Sequence, residues 1–378
     1  MMKPLNILYF FSFFVSIQFA ATTYINSSFL AQFVSEKNVG LIYALASLIA
    51  TTLLFLLPRI TVQIGNYRVS NIILLAIIFS LVGLWQALDA NSGIVMFILY
   101  FVMNLLIAFS RDIFIEKYSR DKIAGRARGA ALTAINLGFV LAPLAAGILA
   151  QKSFNNVYLL AALLTLPAFF FLIPFKNFHD PHYKPTKLNE VWEKFKANPS
   201  IFKIYLTNFI LQFFYVWMVI FMPIYLNRHI GFSFEQIGLI FTIMLLPFVL
   251  IQYPLGRLAD KIGEKSILTA GLIIAGLATL VIPFITASNL ILWAIILFAT
   301  RIGAATIEVM TESYFFRKVS ASDSELIGFF RNTYPVANII APIVASLVFL
   351  FTSFQGLFGI LAIILFASIY LSQTLNNH

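Results

Sequence analysis

Long apolar segments, each followed by a short polar one, constrain the fold of this 378-residue chain more than any other feature. A helix that crosses the hydrocarbon core of a bilayer needs about 20 consecutive, mostly apolar residues. By that criterion the sequence predicts twelve membrane-spanning helices, at approximately 5–34, 38–57, 70–88, 92–112, 127–150, 155–175, 203–227, 234–254, 266–286, 289–310, 327–350 and 354–373. We expect an all-α integral membrane protein, with both termini on one side because the number of crossings is even.

The composition supports a membrane environment. Hydrophobic residues make up 61% of the chain and charged residues 11%, against about 45–50% and about 25% in soluble domains. No soluble core can bury this much apolar surface. The first apolar segment is too long for the hydrophobic region of a signal peptide and lacks a clear cleavage site, so we interpret it as a helix.

Basic residues are distributed unequally between the two sets of loops. Of the 25 Lys and Arg residues, Lys37, Lys152 and Arg228 fall in one set, and Arg301 and Arg331 fall inside apolar segments. The other 20 lie at the N-terminus or in the opposite loops. Because cytoplasmic loops are enriched in Lys and Arg, we expect a multi-pass cell-membrane protein with both termini in the cytoplasm. The net charge of +10 thus reflects topology, and no nucleic-acid partner is expected.

Several kinds of chemistry are excluded by what the sequence lacks. It has no cysteine, and its four histidines all lie outside the apolar segments. This argues against a thiol nucleophile, a metal site or a histidine proton relay in the membrane. No Gly-rich stretch ends in Gly-Lys-Ser/Thr, so ATP is not expected to drive the protein. We expect neither a metal nor a cofactor, and not an enzyme.

Two halves of the chain are related. The charged run at 256–265 has a degraded copy at 58–67, in which Gly65 matches Gly263 but Val62 replaces Asp260. Further matches at similar spacing relate helix 4 to helix 10 and helix 5 to helix 11. Internal repeats of this kind are typical of membrane transporters. The predicted domains are an N-terminal six-helix bundle (1–175), a cytoplasmic linker (176–202) and a C-terminal six-helix bundle (203–378).

The charged run resembles the loop motif of the major facilitator superfamily (MFS), in which Gly, Asp, a basic residue, Gly and a final basic residue recur. Here they are Gly256, Asp260, Lys261, Gly263 and Lys265. The resemblance covers nearly the whole chain. It implies two pseudo-symmetric six-helix bundles, with helices 1, 4, 7 and 10 lining a central cavity. It also implies a secondary transporter that works by alternating access.

A gating role is the interpretation that we favour for this run. The two glycines are expected to allow a tight turn and close helix approach, and Asp260 to accept hydrogen bonds from a helix N-terminus. Arg257 and Lys261 are expected to pair with carboxylates at cytoplasmic helix ends. A merely topogenic charged turn would explain the basic residues but not Asp260. The gating motif comprises Gly256, Arg257, Asp260, Lys261, Gly263 and Lys265.

Helix 5 carries spaced small residues around a proline, which resemble the antiporter pattern of the same family. The matching residues are Gly129, Gly138, Pro143 and Gly147. Ala142 and Ala146 replace glycines of that pattern. Because small residues at this spacing also serve plain helix packing, we favour packing over antiport.

Arg301 is the costliest residue in the apolar segments, since a lone arginine at mid-membrane costs at least about 2.5–3.5 kcal/mol. At 100° per residue, Glu308 and Glu312 fall within about 40° of it on the same helix face. The functional hypothesis is that Arg301 binds an anionic group or tunes a carboxylate, and the alternative is a buried structural pair. The two glutamates are the coupling candidates, although we favour structural salt bridges for them.

Polar residues on helices 1, 4 and 7 complete the set of candidate substrate contacts. Besides Arg301 they are Gln18, Thr22, Asn104, Asn208, Gln212 and Tyr215. The alternative for each is an interhelical hydrogen bond, worth about 0.6 kcal/mol on average.

The resulting prediction is a monomeric secondary transporter that moves a small solute, in uptake or efflux, with protons as a candidate coupling ion. Arg301 favours an anionic solute. The alternatives are a membrane-embedded enzyme and a non-transporting sensor or scramblase. Short, nearly uncharged outward loops argue against the enzyme.

Overall fold

Long helices form most of the computed structural model, which describes residues 3–118, 124–178, 193–196, 198–319 and 324–375. The first half contains α1 (Pro4–Thr23), α2 (Asn26–Leu30), α3 (Val39–Ile64), α4 (Asn66–Trp85), α5 (Ala90–Tyr118), α6 (Ala124–Lys152) and α7 (Phe154–Leu172). The second half contains α8 (Pro199–Ile224), α9 (Phe234–Leu245), α10 (Pro247–Leu250), α11 (Gln252–Ile262), α12 (Glu264–Val281), α13 (Leu290–Lys318), α14 (Ser324–Arg331), α15 (Thr333–Val348) and α16 (Phe354–Gln373). Short non-α turns extend α7 (Ile173–Phe175), α8 (Tyr225–His229) and α12 (Ile282–Phe284).

The helices confirm the predicted membrane architecture. Within the described ranges, eleven helical spans are long and apolar enough to cross a membrane, and each overlaps one predicted segment. The remaining segment, 327–350, consists of α14 and α15, which are separated at Asn332. Pro335 accounts for this break, because it has no N–H to donate to the carbonyl of Arg331, four residues earlier.

The helices cluster into two compact units. One holds α1 to α7 together with residues 232–242, and the other holds α8 and the chain from residue 243 onward. The division after residue 183 falls in the predicted linker, most of which lies outside the described residues. That the first nine residues of α9 pack with the first unit was not predicted from sequence.

The same glycine turn recurs in both halves. Gly65 joins α3 to α4 with φ 86° and ψ 144°, and Gly263 joins α11 to α12 with φ 81° and ψ 159°. A side chain is strained in this conformation, which glycine adopts readily. The backbone of the repeat has therefore been kept in the first half, where the aspartate was lost.

Small residues let helix backbones approach closely within each unit. In the first unit, Gly138 of α6 lies against the backbone of Ile17 in α1, and Gly147 of α6 lies against Gly238 of α9. Ala142 and Ala146 pack in the same cluster as Ala20 and Ala21 of α1. These contacts support the packing interpretation of the helix 5 pattern, in which Gly129 lies on the first turns of α6 with its packing outside the described part.

We predict that Gly303→Ala destabilises the second unit. An added methyl group on α13 would overlap the backbone nitrogen of Ala275 and lie 2.7 Å from the carbonyl oxygen of Gly271, both on α12. Overpacking of this kind costs about 1–3 kcal/mol. The measurement is thermal unfolding of the purified protein in detergent.

The matched control is Gly359→Ala on α16, where an added methyl group meets nothing within 4 Å among the described atoms. This change should leave the unfolding temperature unchanged or raise it, because alanine favours helix. Equal effects of the two substitutions would contradict the prediction.

Candidate functional site

In the first unit, the predicted polar residues are hydrogen-bonded to one another. The amide of Gln18 donates to Oδ1 of Asn104, and the hydroxyl of Tyr100 donates to Oε1 of Gln18 at 3.0 Å. Tyr100 and Thr22 share a hydroxyl–hydroxyl bond of 2.8 Å, and the amide of Asn104 donates to the carbonyl of Tyr100 at 2.8 Å. All four side chains are buried, so this network ties α1 to α5.

The same network continues towards the end of α1. Asn26 donates to Oγ1 of Thr22 at 3.4 Å, and the hydroxyl of Tyr158 on α7 donates to Oδ1 of Asn26 at 3.1 Å. Of these residues, only Gln18, Thr22 and Asn104 were predicted from sequence. Their polar groups already have protein partners, which corresponds to the alternative of interhelical hydrogen bonding.

In the second unit, Arg301 near the middle of α13 takes the place that Asn104 has in the first unit, and its contacts are of a different kind. Its side chain is 1% exposed. The Cζ atom lies 5.3 Å from the ring centroids of both Phe214 and Tyr215 on α8. Nε and Nη1 have no hydrogen-bond partner in the described part of the chain. Arg301 is therefore a buried cation that is held by aromatic rings and has N–H groups left to donate.

Glu308 lies two helical turns from Arg301 and shares a neighbour with it. The hydroxyl of Tyr215 donates to Oε2 of Glu308 at 3.3 Å, and the amide of Gln252 on α11 donates to the same oxygen at 3.4 Å. Tyr215 thus contacts both the cation and the carboxylate. We call Phe214, Tyr215, Gln252, Arg301 and Glu308 the Arg301 cluster.

The other predicted residues of the second unit lie outside this cluster. Asn208 of α8 donates to Oγ1 of Thr333 on α15 at 2.8 Å, and it is buried. Gln212 is partly buried, and Glu312 is exposed. Burial therefore distinguishes Arg301 from Glu312, although both were assigned to one face of the same helix.

The charged run is arranged differently from the prediction. Gly256 lies inside α11, where an added methyl group would meet no described atom within 4 Å. The tight turn is thus formed at Gly263 alone. Arg257 and Lys261 are exposed, and the guanidinium of Arg257 lies 5.2 Å from the ring centroid of Tyr253. The side chain of Asp260 lies outside the described part.

Glu264 and Lys265, the two residues that follow the turn, both contact other helices of their unit. Glu264, at the start of α12, is 1% exposed; it forms an ion pair with Arg317 at 2.7 Å and accepts a hydrogen bond from Ser313 at 2.9 Å, both on α13. Lys265 donates to the carbonyl of Leu375 at 3.1 Å, just after the end of α16. The charged run is therefore anchored within its own unit.

Glu264 lies in the charged run but was assigned no role from the sequence, because its partners, Ser313 and Arg317, are about 50 residues away in the chain. The residue after the matching glycine of the first half is Asn66, which is buried and bonded to Ser110 of α5. In both halves, the side chain that follows the turn thus binds to a neighbouring long helix. The contact is a neutral hydrogen bond in the first half and an ion pair in the second.

No group of three or more His, Cys, Asp or Glu residues converges among the described side chains. The arrangement offers instead a buried cation, a nearby carboxylate and the aromatic rings of α8.

We predict that Glu264→Gln lowers the thermal stability of the protein, because it removes the charge that pairs with Arg317. Since Arg317 is 38% exposed, we expect a loss of about 1–3 kcal/mol rather than the ~3–5 kcal/mol of a fully buried pair. The measurement is thermal unfolding in detergent. Glu312→Gln, an exposed change on α13, is the control, and an equal shift for both variants would refute the importance of the pair.

The same glycine turn occurs in both halves of this helical membrane protein, and each half holds a buried polar cluster. Internal repeats of this kind are typical of membrane transporters. The family profile described as Major Facilitator Superfamily matches residues 7–225 and again residues 204–375. The chain is therefore a member of the major facilitator superfamily, as its charged run suggested.

Solved structures share the fold at low sequence identity. The nucleoside transporter NupG superposes with a TM-score of 0.78 at 13% identity, covering 99% of this chain and 100% of that one. The human organic anion transporter MFSD10 gives 0.70 at 14% identity, with 99% and 100% covered. A bacterial homologue of the human lysosomal transporter Spinster gives 0.71 at 12%, with 98% and 94% covered. A search of curated protein sequences gave no match.

Proposed function

We propose that this transporter moves a small anionic solute by alternating access, with Arg301 as the residue that binds the anion. The observation that carries the proposal is that Arg301 is 1% exposed and that its Nε and Nη1 atoms lack partners in the described residues. A buried donor without an acceptor is costly, and a buried charge costs more still. An anionic group of a solute would supply both the acceptor and the opposite charge.

The surroundings of Arg301 support a solute that also has an apolar or aromatic part. The guanidinium lies over Phe214 and Tyr215, and such a contact contributes about 2 kcal/mol or more when desolvated. These rings hold the cation in place without using its N–H groups. Among proteins that share the fold, MFSD10 is an organic anion transporter, although likeness at 14% identity carries no assignment of substrate.

Glu308 is the residue that we propose for proton coupling. It is linked to Arg301 through Tyr215 and attracted by the arginine charge. An anion bound beside Arg301 neutralises the charge of the arginine, which otherwise favours the ionised form of Glu308. Binding of the anion therefore favours binding of a proton to the Glu308 carboxylate, and the two would be carried and released together.

Both termini are proposed to lie in the cytoplasm, which places the turn at Gly263 on that side. Lys265 and Glu264 hold this turn against α16 and α13. This anchoring fixes the loop to one unit. The exposed Arg257 and Lys261 are the charges that we propose to pair with carboxylates at cytoplasmic helix ends when this side is closed.

We predict that Arg301→Ala strongly weakens the binding of anions. Loss of one partner of a buried charge pair costs about 2–5 kcal/mol, so anion affinity should fall at least about 30-fold. A panel of carboxylates, phosphates and sulfonates, screened by thermal shift on the purified protein, provides ligands, and counterflow in proteoliposomes measures transport. Arg301→Lys should keep part of the binding.

The control is Arg257→Ala, which removes an exposed arginine of the same unit and should leave anion shifts unchanged. If anion-induced shifts survive Arg301→Ala undiminished, the anionic substrate is ruled out.

We also predict that Glu308→Gln removes the pH dependence of uptake while solute binding persists, because glutamine neither takes up nor releases a proton. Glu312→Gln, four residues along the same helix and exposed, should keep the pH dependence. The measurement is solute uptake in proteoliposomes under an imposed pH gradient. Unaltered pH-driven uptake by both single variants and by the double variant would exclude proton coupling through these residues.

A further inference from the structure

A groove with a volume of about 450 Å³ opens on the surface of the first unit, between α1, α6 and α7. One side consists of the aromatic rings of Tyr9, Phe10, Phe13 and Phe14 on α1. Phe171 of α7 stacks on Phe10 at 5.3 Å and on Phe14 at 5.6 Å between ring centroids. The groove is thus an apolar surface, and its volume lies within the range of about 300–1,000 Å³ that small ligands use.

The place of the groove along the helices follows from the connection between α6 and α7. A single residue, Ser153, joins the two helices. The residues that face the groove, Ala134 and Leu137 on α6 and Phe171 on α7, lie about 16–19 residues from it, or roughly 24–29 Å at 1.5 Å per residue. The groove therefore lies in the half of the bundle where α1 and α6 begin and α7 ends.

At this end of the bundle, the charged residues of the three segments that form the groove are all cationic, whereas the adjacent end of α5 carries Asp112 and Glu116. Lys3 precedes α1 and Lys176 follows the last turn after α7, and both side chains are exposed. The first turns of α6 contain Arg126 and Arg128 in sequence. Neither residues 1–35 nor residues 124–178 contain an aspartate or a glutamate. An anionic group at the mouth of the groove would meet no carboxylate from these helices.

We infer that the groove binds an anionic glycerophospholipid, with an acyl chain against the aromatic face of α1 and the headgroup near Lys3 and Lys176. Tyr9 lies six residues, or about 9 Å, from Lys3 along the helix. That spacing separates an apolar section from a cationic one, as a phospholipid separates its chains from its phosphate. Basic sites between helices on the cytoplasmic side are suited to anionic headgroups.

The occupant is inferred to be a lipid because the groove opens among exposed apolar side chains. Phe10 is 46% exposed and Leu137 is 44% exposed, and exposed apolar side chains at membrane depth are suited to contact with acyl chains. The site is separate from the Arg301 cluster, which belongs to the other unit. The lipid site rests on the proposed cytoplasmic orientation of the N-terminus and is independent of the transported solute.

Native mass spectrometry of the full-length protein in detergent tests the inference. Delipidated protein is titrated with phosphatidylglycerol and phosphatidylcholine of identical acyl chains. The wild type should retain phosphatidylglycerol in preference. Ala134→Phe, which fills the groove, should lose this lipid, whereas Ala145→Phe, an exposed position on α6 outside the groove, should retain it.

A second pair of variants tests the headgroup. Lys3→Gln with Lys176→Gln should reduce the preference for phosphatidylglycerol by roughly fivefold per lysine. Lys37→Gln with Lys152→Gln, in the opposite set of loops, should not. Thermal unfolding checks that each variant is folded, and Leu137→Trp replaces Ala134→Phe if the latter is not.

Three results would overturn the inference. Equal retention of both lipids by the wild type would indicate ordinary lipid contact. Undiminished phosphatidylglycerol retention by the groove-filling variant would place the lipid elsewhere. An equal effect of the Lys37 and Lys152 changes would show that the preference reflects overall charge.

Discussion

A hydrocarbon environment cannot hydrogen-bond to a protein, so every polar group that this chain places in the membrane must find a partner within the protein or in a ligand. The predicted polar residues of the first unit find partners in the protein, through the bonds among Gln18, Thr22, Tyr100 and Asn104. Arg301 of the second unit instead keeps N–H donors without acceptors in the described residues. Other buried atoms without a partner there, such as the hydroxyl oxygens of Ser27 and Ser47, are uncharged, so the candidate binding site is defined by the buried charge of Arg301.

The two halves share a backbone plan and differ in chemistry. Gly65 and Gly263 adopt nearly the same dihedral angles, and the residue after each is buried and bonded to a long helix. In the first half that residue is the neutral Asn66, whereas in the second it is Glu264, paired with Arg317. Both halves therefore keep the turn that glycine adopts readily, whereas the ion pair beside it is found in the second half. The candidate binding site is asymmetric in the same way, because the buried cation Arg301 also lies in the second half.

Much of the fold could be predicted from sequence, and much less of the site. The apolar segments identify the helices because membrane thickness sets their length, and even the broken segment at 327–350 was found.

Gly256 was expected to form a turn but lies in α11, since a glycine motif does not specify which glycine takes a positive φ. Tyr100 and Gln252 were missed, because their roles depend on residues that are distant in the chain. Arg301 was identified from the sequence because placing an arginine at mid-membrane has a high free-energy cost, which is usually offset by a functional or structural partner.

The sequence by itself determined that the protein is a duplicated helical membrane protein, that its basic residues fall mostly in alternate loops, and that Arg301 is the costliest residue of its apolar segments. Only the tertiary structure decided which polar groups are already satisfied. Gln18 and Asn104 bind each other, Asn208 binds Thr333, and Arg301 contacts aromatic rings that leave its N–H groups available. The physical reason is that helix periodicity assigns a residue to a face, whereas hydrogen bonding requires atoms of different helices to meet within about 3 Å.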